Sequence, residues 1–161
     1  MSLSDELVVM DRGKVRQIGS PTEVYEAPVD EFVAKFIGHI NFFSGTVTAL
    51  REDGLDLETD HAILRVERPP FAVALGDSLK AVVRPESIDI AYPDPANEPV
   101  HNMIEGTIEV AMYVGSFIRY TISCGDQLVY VDEVDPQYQG IYREGKRVRL
   151  TFKKRIHLLT M

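Results

Sequence analysis

Residues 76–83, GDSLKAVV, and residues 145–152, GKRVRLTF, are the segments on which the fold turns. Each opens on a glycine, passes through polar residues and runs into an apolar stretch, the pattern of a turn entering a strand. Each has a companion upstream: Gly45-Thr46-Val47-Thr48 before the first, Gly106-Thr107-Ile108-Glu109 before the second. Behind each comes a short apolar hook, at 87–91 and 156–159. Order and spacing agree between the halves although few residues are identical. A half-motif that recurs in this way points to one β-barrel assembled from two similar halves.

The surrounding chain fits that reading. Beyond residue 42 the apolar period is alternating, which predicts strands at 44–50, 55–57, 62–66, 78–83 and 87–91. A second set follows at 103–112, 117–123, 127–132, 147–152 and 156–159. Gly54, Gly76, Gly125 and Gly145 stand at turn positions. Between the sets lies Tyr-Pro-Asp-Pro-Ala-Asn-Glu-Pro at 92–99, whose three prolines cannot join a sheet interior. The expected fold is mainly β, an OB-like barrel.

The first forty residues have a different texture. Apolar runs 7–10 and 15–18 flank Asp11-Arg12-Gly13-Lys14, a hairpin signal. Ser20-Pro21-Thr22-Glu23 is a capping box with proline at the first helical position, and Pro28 ends the helix it opens. A second helix is expected with Phe32, Val33, Phe36 and Ile37 on one face, Glu31, Ala34 and Lys35 on the other, and Gly38 as its C-cap.

Composition narrows the function. With 45% hydrophobic and 26% charged residues, the chain reads as an ordinary globular protein. No apolar run approaches the ~20 residues of a membrane-spanning helix. The formal charge of −8 opposes general affinity for nucleic acid or anionic lipid. Acidic residues gather at Glu52, Asp53, Asp56, Glu58 and Asp60, and again at Asp126, Asp132, Glu133 and Asp135. Bases concentrate from Arg143 to Arg155. These runs read as solvated strand faces, with docking to an acidic surface of a partner as the alternative. The lone Cys124 forms no disulfide framework and fits a reducing, cytoplasmic setting.

Catalytic constellations are not evident. Gly140 to Lys146 matches the first seven positions of a phosphate-binding loop, but Arg147 stands where Ser or Thr would hold magnesium. The residues that follow alternate like a strand rather than opening a helix. His39, His61, His101 and His157 lack second ligands at metal-binding spacing. Cys124 has no neighbouring base.

Residues 10–45, MDRGKVRQIGSPTEVYEAPVDEFVAKFIGHINFFSG, resemble the end of the ATPase domain of ABC-transporter ATP-binding subunits. The subunits in question are those of polyamine, ferric iron or sugar importers. Leu75-Gly76-Asp77 leading to Val83-Arg84-Pro85-Glu86-Ser87-Ile88 resembles the central segment of the TOBE domain. Tyr113-Val114-Gly115-Ser116 before Phe117-Ile118-Arg119-Tyr120 resembles that domain's second-half signature. The likeness spans nearly the whole chain, with gaps at 51–74 and 92–102.

The resemblance implies residues 1–41 as the end of an ATPase domain, with 1–3 a cloning scar, and residues 42–161 as a TOBE barrel. The phosphate-binding loop and catalytic carboxylate would precede residue 1. No catalytic group, cofactor or metal is then expected in this chain, and ATP and magnesium belong to the intact transport ATPase. Implied partners are a second copy of the same subunit and, through the ATPase domain, membrane permease subunits at the cytoplasmic face. Nucleic acid and direct membrane insertion are not implied.

Interface or regulatory residues are expected at Arg84, Pro85 and Glu86, where proline pins the backbone between opposite charges. Tyr113, Gly115 and Arg119 form a second group, Phe42 and Phe43 mark the join between the pieces, and Phe32 and Phe36 offer an apolar helix face. Two alternatives stand beside this. A ligand-sensing barrel, as in related molybdate-binding folds, would use Arg84, Arg119 and Lys80 as oxyanion donors. A single-strand nucleic-acid platform would use Tyr113, Phe117, Arg119 and Tyr120.

Overall fold

The computed structural model describes residues 4–94, 96, 101–134, 140–153 and 156–161. Expectations placed on residues 1–3, on 95 and 97–99 in the proline break, on Asp135 and on Lys154 and Arg155 lie outside the described residues. The chain divides into two compact units, residues 1–40 and 41–161.

In the first unit, β1 (Leu7–Asp11) and β2 (Lys14–Gly19) form an antiparallel hairpin with Asp11 opposite Lys14. Arg12 and Gly13 both have positive φ, 48° and 79°, the geometry of a type I′ turn that matches the strand twist. Helix α1 (Pro21–Glu26) starts with the expected capping box: Ser20 Oγ accepts from the Glu23 amide and Glu23 accepts from the Ser20 amide. Helix α2 (Glu31–Ile37) is capped by Asp30, whose carboxylate accepts from the Val33 amide at 2.9 Å. The Gln17 side chain fixes the loop between the helices, donating to Ala27 O and accepting from Val29 N.

Val9, Val24 and Val33 make the small core of this unit. Two expectations need correcting. Ala34 is buried rather than outward, and Phe36 is exposed, while Val33 is the α2 residue that joins Val9 and Val24 in the small core. Gly38 does follow α2 as its cap, but its φ of 169° is extended backbone and not the left-handed turn expected of a glycine there.

The second unit is two five-stranded antiparallel sheets around one core. The first sheet contains β3 (Asn41–Leu50), β4 (Gly54–Thr59), β5 (Ile63–Glu67) and β6 (Ser78–Val83). A single 3-10 turn, Pro85–Ser87, leads from β6 to β7 (Ile88–Ala91). The second sheet contains β8 (Met103–Tyr113), β9 (Phe117–Cys124), β10 (Gln127–Val134) and β11 (Arg147–Phe152), and β12 (His157–Thr160) ends the chain. The strand that opens the first sheet begins at Asn41, earlier than the alternation alone indicated. The turn Pro85–Ser87 replaces the start of the strand expected at 87–91, since proline has no amide to give a ladder.

The halves repeat closely. Strand order is β12-β6-β3-β4-β5 in one sheet and β7-β11-β8-β9-β10 in the other. Each long first strand carries a bulge one residue after its Gly-Thr pair and the following apolar residue, between Val47 and Ala49 and between Ile108 and Val110. Each bulge is pinned by the same two bonds. Val47 N donates to Asp77 O and Gly76 N to Val47 O; Ile108 N donates to Lys146 O and Gly145 N to Ile108 O. The repeated glycines have a steric cause as well: a Cβ on Gly45 would stand 2.5 Å from Glu58 O, and one on Gly106 would stand 2.6 Å from Ser123 O.

The hooks are exchanged. β7 follows β6 yet pairs with β11, with Leu150 opposite Ile90; β12 follows β11 yet pairs with β6, with Ala81 opposite Leu158. Each half therefore completes the other's sheet. Phe43, Leu55, Leu57, Leu64, Ile108, Ile122, Val129 and Leu150 form part of one continuous core shared by both sheets.

Candidate functional site

Arg84 lies buried at the end of β6, and Pro85 enters the 3-10 turn, where the Ser87 amide donates to Arg84 O at 2.9 Å. This turn packs beside β10. There, Arg119 of β9 faces Asp132 of β10 in direct register. Arg119 Nε donates to Asp132 Oδ1 at 2.7 Å and Nη2 to Oδ2 at 2.6 Å, a two-pronged ion pair with both side chains largely covered. That pair holds the guanidinium proton more tightly than usual, with the negative charges of Asp132 and Glu86 adding to the effect. The Phe117 ring lies 5.4 Å from the guanidinium carbon. The structure thus brings Glu86 and Arg119, singled out separately in the sequence, into one electrostatic neighbourhood.

Other anticipated residues are placed elsewhere. Tyr113 is exposed at the β8–β9 tip, and Gly115 takes φ +70° in the turn, where Val114 N donates to Phe117 O. Phe43 is a core residue, edge-to-face with Phe152, so it presents no surface. Phe42 lies outward on β3, with the Lys80 ammonium 5.8 Å from its ring centroid. In the first unit Phe32 and Phe36 stack at 5.9 Å, with Arg16 against the Phe32 ring.

Tyr120 corrects the stacking-platform alternative. It is fully buried, donates to Glu133 Oε2 at 2.9 Å and accepts from the Tyr142 amide at 3.3 Å. Burial, with Glu133, pushes its ionisation well above the ordinary tyrosine range. The phosphate-loop lookalike is also resolved: Gly145, at φ +74°, turns the chain into strand β11, not a helix. Among the described residues no cluster of His, Cys, Asp and Glu is arranged to hold a metal ion. No helix among them is long and apolar enough to cross a membrane.

Three arrangements were not anticipated. Asp56 of β4 accepts from Arg51 through both carboxylate oxygens and from Arg65 Nε at 3.2 Å. Arg51, aided by Arg65, lowers the Asp56 carboxyl to about 2 against the opposing effect of burial. Arg65 also contacts His101 Nε2 at 2.7 Å. The remaining two are asparagines. Asn41 donates to Tyr130 O and accepts from Tyr130 N, both at 2.8 Å. Asn102 donates to Arg65 O at 2.9 Å and accepts from Arg65 N at 2.5 Å. Each asparagine belongs to one half and closes the outer strand of the other. The signal lay in the repeat itself: Asn41-Phe-Phe-Ser-Gly-Thr46 and Asn102-Met-Ile-Glu-Gly-Thr107 share Asn-x-x-x-Gly-Thr.

A barrel of two equivalent halves with exchanged hooks is the architecture of the MOP and TOBE class. Residues 81–159 match the family described as "TOBE domain". The solved cytoplasmic molybdate-binding protein ModG is similar in fold, with a TM-score of 0.61 over 73% of this chain and 94% of that one, at 17% identity.

Several curated relatives are named "Spermidine/putrescine import ATP-binding protein PotA". The one from Trichormus variabilis is 36% identical over 124 residues, 76% of this chain and 32% of that protein. The one from Marinobacter nauticus is 33% identical over 158 residues, 94% of this chain and 40% of that protein. The chain spans between about a third and two fifths of the length of these relatives. Residues 81–159 thus carry the match to the TOBE domain, and the chain as a whole is similar to part of these import ATP-binding proteins.

Proposed function

We propose that this chain is a non-catalytic regulatory and pairing module of the ATP-binding subunit of a bacterial ABC importer. One observation carries the reading: relatives named as spermidine/putrescine import ATP-binding proteins run through up to 94% of the chain, across both of its units. In this reading ATP and magnesium are handled by the rest of the subunit. The module acts at the cytoplasmic face of the membrane, where permease subunits are engaged through the ATPase domain. The barrel joins a second copy of the same subunit. Among polyamine, iron and sugar, the names of the relatives favour a polyamine as the transported solute.

The ligand-sensing alternative is weaker on chemical grounds, because Arg119 already directs two donors to Asp132. The test is a chimera in which this chain replaces the C-terminal part of the Marinobacter nauticus relative. Uptake of labelled spermidine is measured in cells lacking the native ATP-binding subunit. Restored uptake supports the reading; a well-folded, expressed chimera that restores none defeats it.

A further inference from the structure

The two asparagine bridges are equivalent joints between the halves, and they differ in one chemical respect. Asn41 holds Tyr130 and is preceded by Ile40. Asn102 holds Arg65 and is preceded by the half-buried His101. The Arg65 side chain meets that histidine, with Nη2 2.7 Å from His101 Nε2. A guanidinium carries donors only and keeps its charge at any ordinary pH, so Nε2 must accept. The ring proton then sits on Nδ1, which is buried without a hydrogen-bond partner among the described residues.

This contact exists for one protonation state of the ring, and the surrounding charges oppose the other. Arg65 Nε donates to Asp56 at 3.2 Å, and both Asp56 oxygens also accept from Arg51. One carboxylate between two guanidiniums leaves the network positive before the ring gains a charge. With its carboxyl at about 2, Asp56 stays ionised across the range in which a histidine titrates. From β5, Ile63 O accepts from the Asn102 amide at 3.1 Å; His61, just upstream, has its Nε2 3.5 Å from Asp126. From β11, Phe152 N donates to Asn102 O at 2.8 Å, and Lys153 beyond it is exposed.

We propose that His101 is a proton-sensitive latch on the joint between β5 and β8. Unprotonated, it holds the Arg65 guanidinium beside the Asn102 bridge; protonated, it can no longer accept, repels that guanidinium and loosens the bridge. The latch is closed above the ordinary histidine range and opens as pH falls through it. The Asn41–Tyr130 joint, with isoleucine in place of the histidine, is the reference within the same molecule.

Amide hydrogen exchange followed by NMR tests this on the whole chain and on H101Q, whose side-chain carbonyl accepts at any pH. From about pH 7.5 to about pH 5.5, protection of the Arg65 amide, corrected for the intrinsic rate, is expected to fall about tenfold relative to that of Tyr130. In H101Q this fall should vanish. Equal behaviour of Arg65 and Tyr130 in the parent chain overturns the latch. So does the same fall in H101Q, which would assign the effect to His61. Should H101Q not fold, the ring tautomer in the parent chain decides: nitrogen NMR at about pH 7.5 is expected to find Nε2 of His101 unprotonated, and a proton there overturns the proposal.

Discussion

Asn41 reaches across the barrel to close both backbone groups of Tyr130, its side-chain amide replacing a strand neighbour at the outer edge of the opposite sheet. Asn102 does the same to Arg65 from the other half. Both asparagines are buried, so the groups they satisfy have little access to water.

Asn41→Ala leaves the Tyr130 amide and carbonyl without these partners, which should destabilise the chain by about 2–4 kcal/mol. Asn102→Ala should cost a similar amount. Urea unfolding followed by circular dichroism measures both. A change within about 0.5 kcal/mol, the range of an ordinary surface substitution, would show the bridges to be dispensable.

Gly106 and Gly115 separate two roles of glycine. A methyl group on Gly106 would meet Cys124 Sγ, Ile122 and Ser123 O at 2.6 Å each, inside the ladder. Around Gly115 nothing lies within 4 Å, and only its φ of +70° disfavours a side chain. Gly115→Ala is expected to cost about 1–2 kcal/mol. Gly106→Ala should cost more than about 3 kcal/mol, since overpacking must move backbone. Thermal unfolding of the two variants gives the order, and equal losses would contradict it.

Acid stability carries the mark of Asp56. Its carboxyl sits at about 2 in the folded chain, below the value of about 3.8 for the free group. A depressed folded value contributes stability that is present above the unfolded value and is lost as pH falls through the folded one, here from about pH 4 to pH 2. With its arginine partners partly exposed, the contribution is about 1–2 kcal/mol after allowance for solvent screening. Asp56→Asn should flatten the stability profile in that window. A profile matching the parent between pH 4 and pH 2 would exclude the effect.

The buried hydroxyl of Tyr120 predicts alkaline behaviour of the opposite sign. Its raised ionisation contributes stability that is fully present below the ordinary tyrosine value near 10 and is lost as pH rises above it. Burial raises Tyr142 in the same direction. Spectrophotometric titration at alkaline pH should therefore show two of the seven tyrosines ionising only with unfolding. Tyr120→Phe should remove one of them and destabilise the fold by about 1–3 kcal/mol, because the Glu133 carboxylate loses its partner.

Cys124 offers a simple probe of the second unit. It is 1% exposed, and burial pushes its thiol up to about 11. A thiol-specific reagent at pH 8 should label it at the rate of unfolding, not at the rate of a free thiol. Fast labelling of the folded chain would indicate an opened β8–β9 region.

Much of this molecule could be read along the chain, because its signals are local. The Gly-Thr openings, the glycine turns before β6 and β11, and the capping box at Ser20 each draw on a few neighbouring residues. Gly45 and Gly106 recur because the adjacent strand, at Glu58 in one half and at Ser123 in the other, leaves no room for a side chain. The asparagines were legible only as part of the repeat, since a polar residue before a strand ordinarily reads as loop. Phe43 looked like a surface at a join because its neighbours in space, Phe152 among them, are distant in sequence.

The exchange of β7 and β12 belongs wholly to the tertiary structure. An alternating segment of four residues specifies that it will be a strand and which face it buries, but not which strand it will lie beside. That choice follows from closing two sheets on one core, where each half offers an open edge next to β6 or β11 and the other half's hook is in reach. The pairing of Arg119 with Asp132 has the same origin: antiparallel register, set across a whole hairpin, placed opposite charges face to face. Sequence determined the elements and their repetition, and long-range pairing alone decided which residues meet.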